Sequence, residues 1–106
     1  MRIISKHVTV AQVGVGYWGP NLLRNLAANE DCHVKMVADL SEERCCYAKN
    51  LYPGVNVTKD ADKVFNDREI DEIDYATSSQ VSDEIAEFLL GFVDKVIIHL
   101  HVNDMY

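Results

Sequence analysis

A chain of 106 residues, 48% apolar and 25% charged, has the size and balance of one globular domain with a single hydrophobic core. Its formal charge of −7 argues against nucleic acid or an anionic membrane as partner, since both select a basic face. No apolar run reaches the ~18 residues of a membrane span, and the opening MRIISKHVTV has no secretory pattern, so the expected location is cytoplasmic.

In chain order, Val8–Val13 reads as a buried strand, and a helix is expected over Trp18–Ala28 with Leu22 and Leu26 on one face. HVKMVAD, His33–Asp39, is the second strand. Ser41 is placed to cap the next helix, with Glu42 and Glu43 in its first turn, and Pro53 and Gly54 stop it. Cys32, Cys45 and Cys46 have neither zinc-ligand nor disulfide spacing and read as reduced thiols. Val55–Thr58 is a short third strand, Asp60 caps a brief helix through Phe65, and Glu72–Thr77 is the fourth strand. Ile85, Phe88, Leu89 and Phe92 fall at helical spacing and read as core. Lys95–Val102 is the fifth strand.

Strands alternating with helices through short connections imply a parallel sheet with crossover helices. The expected fold is α/β and Rossmann-like: a doubly wound, mostly parallel sheet of order 3-2-1-4-5 with helices on both faces. Residues 1–106 are then a single dinucleotide-binding domain, with its ligand crevice beside the first strand, where the order reverses.

In that setting the glycines of VGVGYWG acquire a mechanism. Gly14 permits the tight turn off the strand, Gly16 lets the backbone approach a pyrophosphate, and Gly19 lets the helix pack closely. The helix N-terminus offers N–H groups and partial positive charge, and Pro20 suits its first turn. Asp39 lies 20 residues after Gly19, where a carboxylate accepts hydrogen bonds from an adenosine ribose. That favours NAD, while Ser41 and Arg44 keep NADP open. The plainer alternative is a strand–helix turn with no ligand.

VGVGYWGPNLLRNL followed by MVADLSEERCCYAKNLYPGVNVTKDADKVFNDREIDEIDYAT resembles the N-terminal domain of the Gfo/Idh/MocA oxidoreductases, relatives of glucose–fructose oxidoreductase and inositol dehydrogenase. The resemblance runs over about residues 8 to 102. It implies an NAD(H)- or NADP(H)-binding domain of enzymes that oxidise or reduce a carbinol carbon on sugars, cyclitols or nucleotide sugars. It further implies that Tyr17 and Trp18 are aromatic filler at the start of the first helix, beside the crevice. Packing of that helix on the sheet explains Trp18 equally well. Thr77 and Ser78 are expected near the crevice at the end of the fourth strand.

Three departures stand against it. The family's second, sheet-containing domain, which supplies much of the substrate site, is absent from these 106 residues. The Glu-Lys-Pro that ends the family's fifth strand falls on His99-Leu100-His101, so Leu100 replaces the lysine that assists proton transfer; a one-residue shift puts His101 there instead. The family's Ala-Thr-Pro turn reads Ala76-Thr77-Ser78. No catalytic residue is therefore assigned, and His99 and His101, on one strand face without a third ligand, do not make a metal site.

Gln12 and Asp74 interrupt strands that should be apolar throughout if both faces are covered. They can belong to a polar site with His99, mark a sheet face left uncovered, or be sporadic changes that the fold tolerates. The leading functional expectation is an NAD(P)-binding domain that is inactive as an isolated chain. The rival is a truncated, diverged or engineered scaffold for self-association or partner binding, forming a homodimer through the edge strand Lys95–Val102. A third reading has the same turn bind another adenine nucleotide.

Overall fold

The computed structural model describes residues 7–16, 19–77 and 82–100. In chain order the elements are β1 (Val8–Val13), α1 (Gly19–Ala28), β2 (Cys32–Ala38), α2 (Glu42–Leu51), β3 (Asn56–Thr58), α3 (Asp62–Phe65), β4 (Glu72–Thr77), α4 (Asp83–Leu90) and β5 (Val96–Leu100). The five strands form one sheet of order β3-β2-β1-β4-β5, and every pairing is parallel. This is the expected doubly wound order.

The apolar pattern of the strands is what drives this arrangement. Parallel strands joined by crossover helices are covered on both faces, so alternate residues feed two separate cores. On one face Val10, Val34 and Val37 pack with Leu23 of α1 and Ala48 of α2. On the other, Ala11, Ala38 and Ile73 pack with Val64 and Phe65 of α3 and Leu89 of α4. Full burial of each large aliphatic side chain contributes roughly 1.5–3 kcal/mol relative to exposure. The β1–β2 register slips between Val10 and Ala11, which pair with Val34 and Met36. The β1–β4 register sets Gln12 directly opposite Asp74.

Local chemistry moves several boundaries. β2 runs from Cys32 and stops at Ala38, one residue before Asp39, though the Asp39 N–H still donates to the Thr58 carbonyl at 3.0 Å. β3 starts at Asn56 because the Val55 N–H turns back to the Tyr52 carbonyl, 2.9 Å away. Asp60 does not cap α3 directly. Its carboxylate accepts from the Asp62 N–H at 3.0 Å, closing the turn before the helix, and Ala61 takes the cap position. α4 ends at Leu90, so Phe92 reaches the core from the following turn, its ring 5.0 Å from Phe65 and 5.3 Å from Phe88. β5 begins at Val96, after Lys95, and Val102 lies outside the described residues. Ser41 caps α2 as expected, its hydroxyl accepting from the Arg44 N–H at 3.3 Å. Cys32, Cys45 and Cys46 are free thiols.

Candidate nucleotide site

The glycine turn leaves the C-terminal end of β1. Gly14 has φ of +97°, a region that residues with a Cβ rarely adopt, and an added Cβ would lie 2.4 Å from the Ala76 carbonyl oxygen. Glycine is therefore required here both by the backbone angle and by the neighbouring strand. At Gly19 an added Cβ would sit 2.6 Å from the Gly14 oxygen and 3.2 Å from Gln12 Nε2. Gly16 differs: among the described residues, its chain neighbours aside, nothing lies within 4 Å of its Cβ position. The fold itself makes no steric demand for glycine there, and the space beside it is open.

Gln12 is wholly buried, and its amide closes the turn from beneath. Nε2 donates to the Gly14 oxygen at 2.8 Å and to the Gly19 oxygen at 2.9 Å. Two carbonyl acceptors fix the orientation of the amide, because only its NH2 can face them. The group of Gln12, Asp74 and His99, one of the three readings of these polar residues, is thus only partly formed. Gln12 is spent on the turn, and Asp74 meets His99 without it.

Asp39 also does more than the spacing suggests. Its Oδ2 accepts from the Val15 N–H at 2.7 Å and its Oδ1 from the Ser41 N–H at 2.8 Å. An ionised carboxylate has about four acceptor sites, so each oxygen keeps one for a further donor. From the first turn of α2, Arg44 Nε donates to the Val15 oxygen at 2.7 Å and Nη2 to the Gly16 oxygen at 3.1 Å. Its guanidinium carbon lies 5.0 Å from the centre of the Tyr47 ring.

Beside the turn, a cleft of roughly 220 Å3 opens at the C-terminal ends of β1, β2 and β4. It is lined by Val13, Gly14, Ala38, Asp39, Leu40, Lys59, Ala61, Tyr75, Ala76 and Thr77. This is the crevice of a doubly wound sheet, at the point where the strand order reverses. The structure brings Gly14, Asp39 and Thr77 to it, with Gly16 and Ser41 in the turn and cap that adjoin Asp39. Tyr17, Trp18 and Ser78 lie outside the described residues. Leu40, 88% exposed, and Lys59 are lining residues that the motif did not single out. Their signal was positional: Lys59 directly follows β3, and Leu40 lies two residues past the end of β2.

A second polar group lies on β4 and β5. Asp74 is 2% exposed, and its Oδ1 is 2.6 Å from His99 Nε2. Glu72, two residues earlier on the same strand face, is pushed up to about 7 by burial first, then by hydrogen bonding with Asp74 and by its charge. Among the described residues, no group of three or more His, Cys, Asp or Glu is arranged to hold a metal ion. No helix among them is long and apolar enough to cross a membrane.

Sheet order and crevice define a Rossmann-like α/β fold. Solved structures share it over most of this chain. GenD2 from gentamicin A biosynthesis, in complex with NAD, aligns with a TM-score of 0.75 and 22% identity over 88% of this chain and 26% of its own. Scyllo-inositol dehydrogenase from Lactobacillus casei, with NAD(H) and scyllo-inositol, gives 0.72 and 21% over 88% and 28%. KijD10, a 3-ketoreductase from Actinomadura kijaniata with TDP-benzene and NADP, gives 0.71 and 14% over 86% and 29%. At these identities the likeness is one of fold, and the chain spans less than a third of each of these three structures. No family model matches the chain, and no curated protein matches it in sequence.

Proposed function

We propose that the chain is the NAD-binding domain of an oxidoreductase of the Gfo/Idh/MocA type. The observation that carries this reading is Gly16. Among the described residues, its chain neighbours aside, no atom lies near its Cβ position, yet the residue is glycine, beside a carboxylate with acceptor sites to spare and a cleft at the strand ends. A diphosphate would lie over Gly16 toward the N-terminus of α1, and the ribose hydroxyls would donate to the remaining lone pairs of Asp39. When bound, the nicotinamide supplies the hydride chemistry. This chain's residues bind and orient it. Neither alignment with the family's Glu-Lys-Pro leaves a lysine in place, so the 106 residues alone are not expected to catalyse dehydrogenation.

Calorimetric titration with NAD and NADP, against a Gly16→Trp control that fills the open space, tests the reading. NAD binding that the control abolishes supports it. Absence of binding by either cofactor at millimolar concentration removes it and leaves the glycines as architecture.

A second reading rests on β5. This strand is at the sheet edge, with Ile97 and Ile98 44% and 46% exposed, a surface suited to strand pairing with another copy. Light scattering over a concentration series decides it: a concentration-dependent dimer that Ile98→Lys abolishes supports it, and a monomer throughout rejects it.

A further inference from the structure

We infer that Arg44 is a positioning residue that clamps the diphosphate turn, and is not an anchor for the 2′-phosphate of NADP. The ligand side of this inference rests on the dinucleotide reading above; the clamp itself does not.

Two opposite charges hold one dipeptide. The Asp39 carboxylate takes the Val15 N–H at 2.7 Å, and the Arg44 guanidinium takes the Val15 carbonyl at 2.7 Å and the Gly16 carbonyl at 3.1 Å. The clamp joins positions 28 and 29 residues apart, so it ties α2 to the turn after β1. Its consequence follows from peptide planarity. In a trans peptide the N–H points opposite to the C=O, so aiming the Val15 carbonyl at Arg44 turns the Gly16 N–H away from it. That N–H belongs to the residue beside open space. The clamp thereby fixes which face of the turn presents a donor.

Specificity is the other half of the argument. A guanidinium recognises phosphate through a pair of N–H groups on one edge of its fork. Here the Nε–Nη2 edge is the one engaged, Nε–H and one Nη2 N–H donating to backbone carbonyls, while the guanidinium also lies against the Tyr47 ring. To bind a 2′-phosphate through that edge, Arg44 would have to release the turn that holds the diphosphate.

The test pairs ligand affinity with backbone amide exchange in Arg44→Ala and Arg44→Lys. In both variants NAD and NADP affinities fall by the same factor, about tenfold or more, as loss of charged hydrogen bonds to two carbonyls implies. Lysine does not rescue, because an ammonium lacks the planar fork. In the ligand-free chain the Val15 amide exchanges at least tenfold faster, while Ile73, whose N–H donates to the Lys95 carbonyl in the sheet, is unchanged. Loss confined to NADP would make Arg44 a phosphate anchor and overturn the inference. So would unchanged Val15 exchange, unchanged NAD affinity in variants of a chain that binds NAD, or equal acceleration at Ile73, which would assign Arg44 to global stability. Should the unaltered chain bind neither cofactor, the dinucleotide reading fails, and Val15 against Ile73 exchange alone decides the clamp.

Discussion

His99 Nε2 lies 2.6 Å from Asp74 Oδ1 across neighbouring strands, and Asp74 is almost fully buried. The pair accounts for one Asp74 oxygen. Oδ2 has no donor in place among the described residues, and Glu72 lies two residues earlier on the same strand face. Burial first, and then hydrogen bonding with Asp74 and its charge, push Glu72 up to about 7.

That shift sets a pH dependence with a definite sign. Unfolded, Glu72 loses its proton near its ordinary 4.5; folded, it keeps the proton to about 7. The native state binds the extra proton between those values, so its contribution to stability is full at the acid end and lost as pH rises through 7. Urea unfolding at pH 5, 6, 7 and 8 should show falling stability from this group, and Glu72→Gln should flatten the profile. A slope that Glu72→Gln leaves untouched would assign the dependence to other groups. Asp67, held below its ordinary value first by its hydrogen bond with Lys35, acts at the far acid end, outside this window.

Gly14 and Gly16 separate architecture from ligand binding. Alanine at Gly14 meets the Ala76 oxygen and an unfavourable φ, and should cost about 2–4 kcal/mol of stability in urea unfolding. Alanine at Gly16 enters open space and should leave stability within about 0.5 kcal/mol. Bulk at Gly16 is instead read out in cofactor affinity. Equal destabilisation at the two positions would contradict this division.

Gln12 carries a prediction that its sequence context hides. Gln12→Leu keeps the volume and leaves the Gly14 and Gly19 carbonyls without their donor, at a cost of about 1–3 kcal/mol. Gln12→Glu should be worse, since a carboxylate would face two carbonyl oxygens from a fully buried position. Thermal melts at neutral pH should rank the chains as unaltered, then leucine, then glutamate. If leucine is as stable as glutamine, the amide does not hold the turn.

The contrast between strands and side-chain pairs explains what could be read in advance. Strand order followed from local signals: apolar runs such as Val8–Val13, breakers such as Pro53 and Gly54, and the alternation of strands with helices through short connections. The work of Gln12, Asp39 and Arg44 did not, because each acts on a carbonyl or amide brought near only by folding. Gln12 looked like an anomaly in an apolar strand until Gly19, seven residues on, returned its carbonyl beneath the turn. Arg44, by its place near Asp39, kept NADP open, and only the position of the Val15 and Gly16 carbonyls shows one edge of its fork engaged. Asp74 and His99 were legible as neighbours from strand order, but their burial depends on what covers the sheet.

Asp39 provides the sharpest test of that difference. If it serves only a bound ribose, replacing it leaves the ligand-free chain as stable as before. The structure gives it two backbone donors already, Val15 N–H and Ser41 N–H, one to each oxygen. Asparagine has one accepting oxygen, so Asp39→Asn sets an NH2 against one of these N–H groups and loses the charge that strengthens the other bond. Urea unfolding without cofactor should therefore show a loss of about 1–3 kcal/mol, with the Val15 or the Ser41 amide exchanging faster. NAD affinity should fall further than this loss explains, because the acceptor sites offered to the ribose are reduced as well. Undiminished stability with lost affinity would return Asp39 to the ribose alone; diminished stability with full affinity would make it a strut of the turn with no ligand role.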